Sequence, residues 1–141
     1  MTLQLRNKQV LVTGGGGYIG AHVVRLLHEQ GNRVRVLDLA TPDDAADSQT
    51  EFIAGDIRDA NTVRQAVNGC QVVMHLAANP NLWARHPDEF ETVNHQGTRR
   101  VLEAAAAEGV ERTVYVSTES ILTPRQHTQV ISEDVKTTLA D

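Results

Sequence analysis

Short apolar runs alternate with amphipathic stretches along most of the chain. The runs KQVLVT (8–13) and QVVMHLA (71–77) are almost continuously apolar, which is typical of strands buried on both faces of a sheet. Between such runs, apolar residues recur at helical spacing. The pattern predicts strands at 8–13, 32–38, 51–54, 71–77 and 112–116, and helices at 18–30, 59–68 and 88–108.

The three predicted helices carry end signals that support them. Asp59 can cap the second helix, and Gly31, Gly69 and Gly109 follow the three helices as stop signals. In the first helix, the apolar residues predicted to share one face are Ile19, Val23, Leu26 and Leu27. The segments 40–50, 80–87 and 117–131 are predicted to be loops.

The order of the elements, β-α-β-β-α-β-α-β, predicts the fold class. Strands that alternate with helices pair in parallel through crossover connections, and the helices cover both faces of the sheet. We therefore expect an α/β, doubly wound, three-layer domain of about five parallel strands. The 141 residues are enough for one domain.

The segment LVTGGGGYIG (11–20) places four glycines between the first strand and the first helix. A parallel sheet binds phosphate at such a turn, because helix N-terminal amides point outward and the helix dipole adds positive charge. Gly14, Gly17 and Gly20 stand at the spacing G-x-x-G-x-x-G, and Gly20 would let the helix pack closely on the strand. The turn therefore predicts dinucleotide binding by a Rossmann-type domain.

Asp38 follows Gly20 by 18 residues, at the end of the second predicted strand. A carboxylate at this point accepts hydrogen bonds from the adenosine ribose and repels a 2′-phosphate. Arg33 and Arg35 lie on the strand face opposite Val34, and no arginine follows Asp38 directly. The cofactor is therefore predicted to be NAD, with NADP less favoured. The simpler alternative is a flexible glycine turn and a surface aspartate.

Composition excludes several other classes of function. The net charge is −5, with no block of Lys or Arg, so nucleic acid and membrane surfaces are not expected as partners. No apolar stretch approaches the roughly 18 residues that span a bilayer, and the start has no signal core. A single cysteine, Cys70, is expected to be a packing residue and fits a reducing cytoplasm. The six histidines are scattered, so no metal site is predicted.

Five motifs, in order along the chain, resemble those of the extended short-chain dehydrogenase/reductases. That group includes NAD-dependent sugar epimerases and dehydratases and dihydroflavonol-reductase-like enzymes. The motifs are T-G-x-x-G-x-x-G at 13–20, G-D-[IL]-x-D at 55–59, H-x-A-A at 75–78, N-x-x-G-T at 94–98 and a strand ending at Ser117 and Thr118. The segment LWARHP (82–87) is similar to the reductase and hopanoid-associated epimerase branch.

The resemblance implies roles for individual residues. Asp56 would meet the adenine amino group, Ala77 and Ala78 would lie beside the cofactor, and Thr118 would bind the substrate oxygen during hydride transfer. Thr118 is the catalytic candidate. The predicted cofactor contacts are Gly14, Gly17, Tyr18, Ile19, Gly20, Asp38, Leu39, Asp56, Ile57, Leu76, Ala77, Ala78 and Ser117.

Simpler roles remain open for these residues. Asp56 could satisfy backbone amides at a turn, the two alanines could suit a packed turn, and Thr118 could be a plain polar residue. Asn94 is expected to tie a strand to a helix, and His75 to be a hydrogen-bonded core residue. His22 and His28 are expected on the solvent side of the first helix. Trp83 and Arg85 could touch substrate, or could be a packing residue and a solvated cation.

One motif of the resembling family is absent from the sequence. The family follows its Ser or Thr with Tyr-x-x-x-Lys, in which the Tyr is the acid/base and the Lys lowers its pKa. Neither Tyr18 nor Tyr115 has Lys four positions on, and Ser132 stands four positions before Lys136. Glu119 could be a second acid or a solvated loop carboxylate.

We therefore expect residues 1–141 to be an incomplete, N-terminal, cofactor-binding part of a longer enzyme, truncated before the substrate domain. The fifth strand and the long helix would then expose apolar surface, which predicts self-association. A homodimer and a small-molecule substrate are the expected partners of the complete protein.

Three functions remain open at this point. The first is the NAD-binding portion of an epimerase, dehydratase or reductase that acts by hydride transfer, with a sugar nucleotide as the expected substrate class. The second is a non-enzymatic dinucleotide sensor, and the third is an inactive relic. The fold alone does not decide between them.

Overall fold

The computed structural model describes residues 5–41, 49–81, 83–118, 132 and 134. A π-helical segment (Phe90–Gly97) leads directly into the third α-helix. The elements are β1 (Gln9–Thr13), α1 (Tyr18–Glu29), β2 (Arg33–Asp38), β3 (Thr50–Ala54), α2 (Ala60–Val67), β4 (Val72–His75), the π-helical segment, α3 (Thr98–Ala107) and β5 (Arg112–Tyr115).

The five strands form one parallel sheet in the order β3-β2-β1-β4-β5. The chain runs outward from β1 through β2 to β3 and then returns to place β4 on the other side of β1. Such a reversal leaves a crevice at the carboxyl ends of the two strands that flank it. The predicted α/β, doubly wound fold is confirmed, and its switch point lies between β1 and β4.

Side-chain alternation along the strands builds a separate core on each face of the sheet. Leu11, Leu37 and Val73 pack with residues of α2 and α3. Val10 and Val34, which point the other way, pack with α1. The helices therefore cover both faces, as the element order predicts.

The buried face of α1 differs from the predicted one. Ile19 and Leu26 are 60% and 47% exposed, whereas Leu27 is buried. The side chains that face the sheet follow the i, i+3, i+4, i+7 rule from Gly20, because Gly20 is where the helix contacts the turn before it. His22 is exposed as expected, but His28 is half-buried, with Nε2 2.7 Å from the Thr50 hydroxyl.

The long third helix is present, but its first half is a π-helix. Gly97 ends that half where a Cβ would lie 2.7 Å from the Ile57 side chain. Asn94 accepts a hydrogen bond from the Asn79 amide (2.7 Å) and donates one to the Asn79 carbonyl (3.1 Å). Asn94 therefore ties the loop after β4 to the helix, as predicted.

Apolar side chains remain exposed at the edge strand β5 and on α3. Val114, Tyr115, Val116 and Leu102 are each at least 40% exposed. The predicted apolar surface of the fifth strand and the long helix is therefore confirmed. Within the part of the chain that the structure describes, no helix has the length and apolar content to cross a membrane.

Candidate functional site

A cavity of about 520 Å³ opens at the carboxyl ends of β1, β2 and β4. Every predicted cofactor residue except Ser117 lines it. The remaining lining residues were not among the predicted cofactor contacts; they are Gly16, Leu37, Gly55, Arg58, Pro80, Val93 and Val116. The structure thus brings together residues of the motifs at 13–20, 55–59 and 75–78 with Asp38 and Leu39 at the topological switch point.

The glycine turn packs against β4 and against its own helix. Gly14 has a φ of +72°, and a Cβ there would lie 2.8 Å from the Ala77 nitrogen. A Cβ on Gly20 would overlap the Gly14 carbonyl oxygen. A Cβ on Gly17 would meet only that same oxygen, at 3.3 Å. The first and third glycines are therefore required by protein packing, whereas Gly17 mainly leaves the cavity open.

The N-terminus of α1 meets the cavity without a side-chain cap. Gly17 is the N-cap residue, and the first turn contains no acidic residue. The amides at the start of a helix have no partner within the helix, and the helix dipole makes this end partly positive. Since residues 17–20 line the cavity, this end can hold an anionic group such as a phosphate.

Asp38 faces the same turn from the end of β2. Its Oδ2 accepts a hydrogen bond from the Gly16 amide (2.9 Å), and its Oδ1 accepts one from the Leu39 amide (2.7 Å). The carboxylate is half-buried and lines the cavity. Each oxygen keeps lone-pair capacity for a further donor.

Asp56 lies on the rim of the cavity in an ion pair with Arg58. Its Oδ2 accepts from Nη2 (2.6 Å) and Nε (2.9 Å) of Arg58, and its Oδ1 accepts from the Arg58 amide (2.8 Å). The Arg58 guanidinium holds the pKa of the Asp56 carboxyl below its usual value. Asp56 therefore does satisfy a backbone amide, and it also faces the cavity.

His75 is buried at the end of β4, directly before the cavity-lining Leu76. Its Nδ1 lies 2.6 Å from the Thr13 hydroxyl and its Nε2 lies 2.9 Å from the Thr98 hydroxyl. The Ala77 amide donates to the Thr13 hydroxyl (3.2 Å), and the Tyr115 ring stacks on the imidazole. Burial lowers the pKa of His75 to about 4. The prediction of a hydrogen-bonded core histidine is confirmed.

Two of the predicted residues lie apart from this cavity. Ser117 and Thr118 are exposed at the end of β5 and do not line it. Trp83 is 75% exposed, and Arg85 is exposed as well. Glu119 lies outside the described residues. Cys70 is buried in the core, as expected, and the described residues include no group of three or more His, Cys, Asp or Glu that could hold a metal ion.

Comparison with known sequences places matches along most of the chain. The sequence profile of the 3-beta hydroxysteroid dehydrogenase/isomerase family matches residues 11–140. A putative dihydroflavonol 4-reductase of Synechocystis sp. is 41% identical over 108 residues, which are 75% of this chain and 31% of that protein. A 3 beta-hydroxysteroid dehydrogenase/Delta 5→4-isomerase of Mycobacterium tuberculosis is 39% identical over 120 residues, 81% of this chain and 32% of that protein. The chain spans about a third of the length of these curated relatives.

Solved structures give the same result for the fold. A short-chain dehydrogenase/reductase superfamily protein from Agrobacterium tumefaciens with bound NAD matches with a TM-score of 0.73 and 34% identity over 84% of this chain and 36% of that one. MoeE5, solved with UDP-glucuronic acid and NAD, matches with a TM-score of 0.79 and 33% identity over 92% of this chain and 42% of that one.

Proposed function

The chain belongs to the 3-beta hydroxysteroid dehydrogenase/isomerase family, and from that premise we propose that its cavity binds NAD. The chain then acts as the cofactor-binding part of an NAD-dependent epimerase, dehydratase or reductase. The observation that carries the proposal is the pairing, in one cavity, of an uncapped helix N-terminus with the Asp38 carboxylate. One part suits a pyrophosphate and the other suits a ribose diol.

The proposal assigns the pyrophosphate to the start of α1. The amides of Tyr18, Ile19 and Gly20 would donate to it, since these residues begin the helix and line the cavity. A side chain at Gly17 would intrude on the space that the phosphates need. The glycine turn has no Lys or Arg, so the amides and the dipole at the start of α1 would hold the negative charge of the dinucleotide.

The proposal assigns the adenosine end to Asp38 and Asp56. The Gly16 and Leu39 amides hold the Asp38 carboxylate in place, so that its free lone pairs can accept from the 2′- and 3′-hydroxyls of the ribose. A 2′-phosphate at the same point would meet a negative charge. NAD is accordingly proposed in preference to NADP.

The nicotinamide, when bound, supplies hydride-transfer chemistry. Thr118 is proposed to hydrogen-bond the substrate oxygen, with Ser117 beside the cofactor. Because the sequence has no Tyr-x-x-x-Lys, a proton relay of that kind would have to come from outside residues 1–141. Relatives named for UDP-sugar complexes and for dihydroflavonol reduction support a hydroxyl or carbonyl substrate, with a sugar nucleotide as the proposed class.

Isothermal titration calorimetry of the chain with NAD⁺ and NADP⁺ tests the proposal. We expect one NAD⁺ per chain and binding of NADP⁺ that is weaker by about tenfold or more. Asp38→Asn should weaken NAD⁺ and narrow the difference between the two dinucleotides. The matched control is Glu103→Gln on the exposed side of α3, which should change neither affinity. A folded chain that gives no heat with NAD⁺ would rule the proposal out.

A further inference from the structure

Arg58 is the one cationic side chain that lines the cavity in the part of the chain that the structure describes. Sequence motifs give it no role, because it occupies the variable position of G-D-[IL]-x-D. It nevertheless makes three hydrogen bonds to the Asp56 carboxylate, two from its guanidinium and one from its amide. Both carboxylate oxygens are therefore held by a single neighbour.

This arrangement leaves Asp56 with a fixed direction and a fixed hydrogen-bonding character. An ionised carboxylate can only accept hydrogen bonds, whereas a protonated one can also donate. A carboxylate that is free to rotate can also turn away from the ligand. The three hydrogen bonds from Arg58 keep this carboxylate from rotating. Asp88 and Glu89, which precede the π-helical segment, also attract the Arg58 guanidinium electrostatically.

An acceptor that is fixed in this way discriminates between purines. Adenine presents an amino group at position 6, which donates, whereas hypoxanthine presents a carbonyl oxygen there, which only accepts. A site built to receive a donor rejects a ligand that offers an acceptor, because two acceptors then face each other without a hydrogen between them.

We propose that Arg58 is a positioning residue for base selection. It holds the Asp56 carboxylate as a fixed acceptor, so that the cavity takes dinucleotides with a 6-aminopurine and rejects those with a 6-oxopurine. The inference rests on the proposed binding of NAD, with the adenine amino group at the Asp56 carboxylate. It assigns to Arg58 a part in specificity and none in the chemistry of hydride transfer.

The test compares NAD⁺ with nicotinamide hypoxanthine dinucleotide, which differs at position 6 of the purine. We expect the unmodified chain to bind NAD⁺ more tightly by about tenfold or more, as measured by calorimetry. Arg58→Ala removes the two guanidinium hydrogen bonds to Oδ2 and keeps only the one from the residue-58 amide to Oδ1. It should reduce this ratio by about fivefold or more, mainly by weakening NAD⁺, because the Asp56 carboxylate is then less firmly oriented toward the base. Loss of a merely structural contact would weaken both dinucleotides equally and leave the ratio unchanged.

Arg25→Ala is the matched control, because Arg25 forms an equally short ion pair with Glu29 (2.6 Å) on α1 and does not line the cavity. The ratio of its affinities for NAD⁺ and for the hypoxanthine analogue should equal that of the unmodified chain. Arg58→Gln keeps a long polar side chain and replaces Arg58→Ala if that variant does not fold. The same loss of ratio is expected from it.

The outcomes separate the inference from the function on which it rests. If the unmodified chain does not bind NAD⁺, the proposed function fails. If it binds NAD⁺ but shows no preference over the hypoxanthine analogue, or if the preference survives in folded Arg58 variants, the inference on Arg58 is overturned and NAD binding stands. An Asp56→Asn variant that loses the preference while Arg58→Ala keeps it would likewise overturn the role of Arg58.

Discussion

Thr13 and His75 are hydrogen-bonded across the junction of β1 and β4, with Oγ1 and Nδ1 2.6 Å apart. The Thr13 hydroxyl also accepts a hydrogen bond from the Ala77 amide, so we assign the hydroxyl as the donor to His75 Nδ1. The imidazole proton is then on Nε2 and is donated to the Thr98 hydroxyl. The neutral His75 imidazole therefore joins the ends of β1 and β4 to the start of α3, directly before the cavity-lining Gly14 and Leu76.

Replacement of His75 should destabilise the chain. His75→Phe would leave the buried hydroxyls of Thr13 and Thr98 without their partner, at a cost of about 2–3 kcal/mol in the free energy of unfolding. Urea denaturation followed by circular dichroism measures the loss. His22→Phe is the control, because His22 is exposed on α1, and should change stability by less than about 0.5 kcal/mol. Equal effects of the two variants would contradict the buried network.

Stability should fall on mild acidification because of the same residue. His75 has a pKa of about 4 when folded, against 6.5 ordinarily, so between these values the unfolded chain binds a proton that the folded chain does not. The contribution is complete above about pH 6.5 and is lost as the pH falls toward 4, by about 3 kcal/mol in total.

Urea midpoints measured at intervals from pH 7.5 to pH 4 test this window. The lowered pKa values of Asp56, Asp59 and Glu91 cost stability only as the pH falls below the ordinary values of these groups, 3.8 for aspartate and 4.5 for glutamate. A His75→Phe chain should show a flatter profile between pH 6.5 and 4. A profile as steep as that of the unmodified chain would assign the slope to other groups.

Two glycines with similar backbone geometry should respond differently to alanine. Gly14 and Gly109 have φ values of +72° and +68°, but a Cβ meets the Ala77 backbone at Gly14 and nothing within 4 Å at Gly109. Gly109→Ala should therefore cost about 1 kcal/mol, from the left-handed backbone alone. Gly14→Ala should cost more, about 3 kcal/mol, because the glycine turn must also move away from the backbone of Leu76 and Ala77. Thermal unfolding of the two variants measures this difference, and it separates the cost of left-handed backbone strain from the cost of the steric clash at Gly14.

The exposed edge of β5 should cause self-association. Val114 is 40% exposed on the edge strand β5, and Val116, just after this strand, is 46% exposed. An open apolar edge pairs readily with another chain. Sedimentation velocity should show a concentration-dependent increase in mass, which Val114→Lys should reduce. Gln65→Lys, on exposed α2 surface, is the charge-matched control. A monomer at high concentration would contradict the expectation.

Most of the fold could be predicted from the sequence because strand burial and glycine placement are local signals. The alternation of strands with helices predicted a doubly wound sheet and the five motifs predicted the family, and both predictions are confirmed. The π-helical segment could not be predicted, since apolar spacing over two turns does not distinguish i+4 from i+5 hydrogen bonds. The prediction of the buried face of α1 was wrong, because this face depends on where Gly20 contacts the turn before the helix.

The candidate site could be predicted for residues that belong to sequence motifs. It could not be predicted for residues whose role depends on a hydrogen bond to another side chain of the site. Asp38 and Asp56 line the cavity as expected, and their roles toward NAD stay predictions. Arg58 was missed because only the folded chain shows that its guanidinium faces Asp56. Thr118 lies apart from the cavity lining, and its catalytic role stays a prediction.

The strand order also has a consequence for the sequence of events in folding. Val10 pairs with Val34 on one side and with Val72 on the other, so the second pairing closes a much longer loop of chain. Loop closure of that length is the slower event. The β1–α1–β2 unit is therefore expected to form early and β4 to dock late, so that the dinucleotide cavity is completed only in the final stage of folding. Pulsed hydrogen exchange should accordingly show the amides of β4 protected after those of β2. A cell that makes this chain would gain a complete dinucleotide cavity only once β4 has docked on β1.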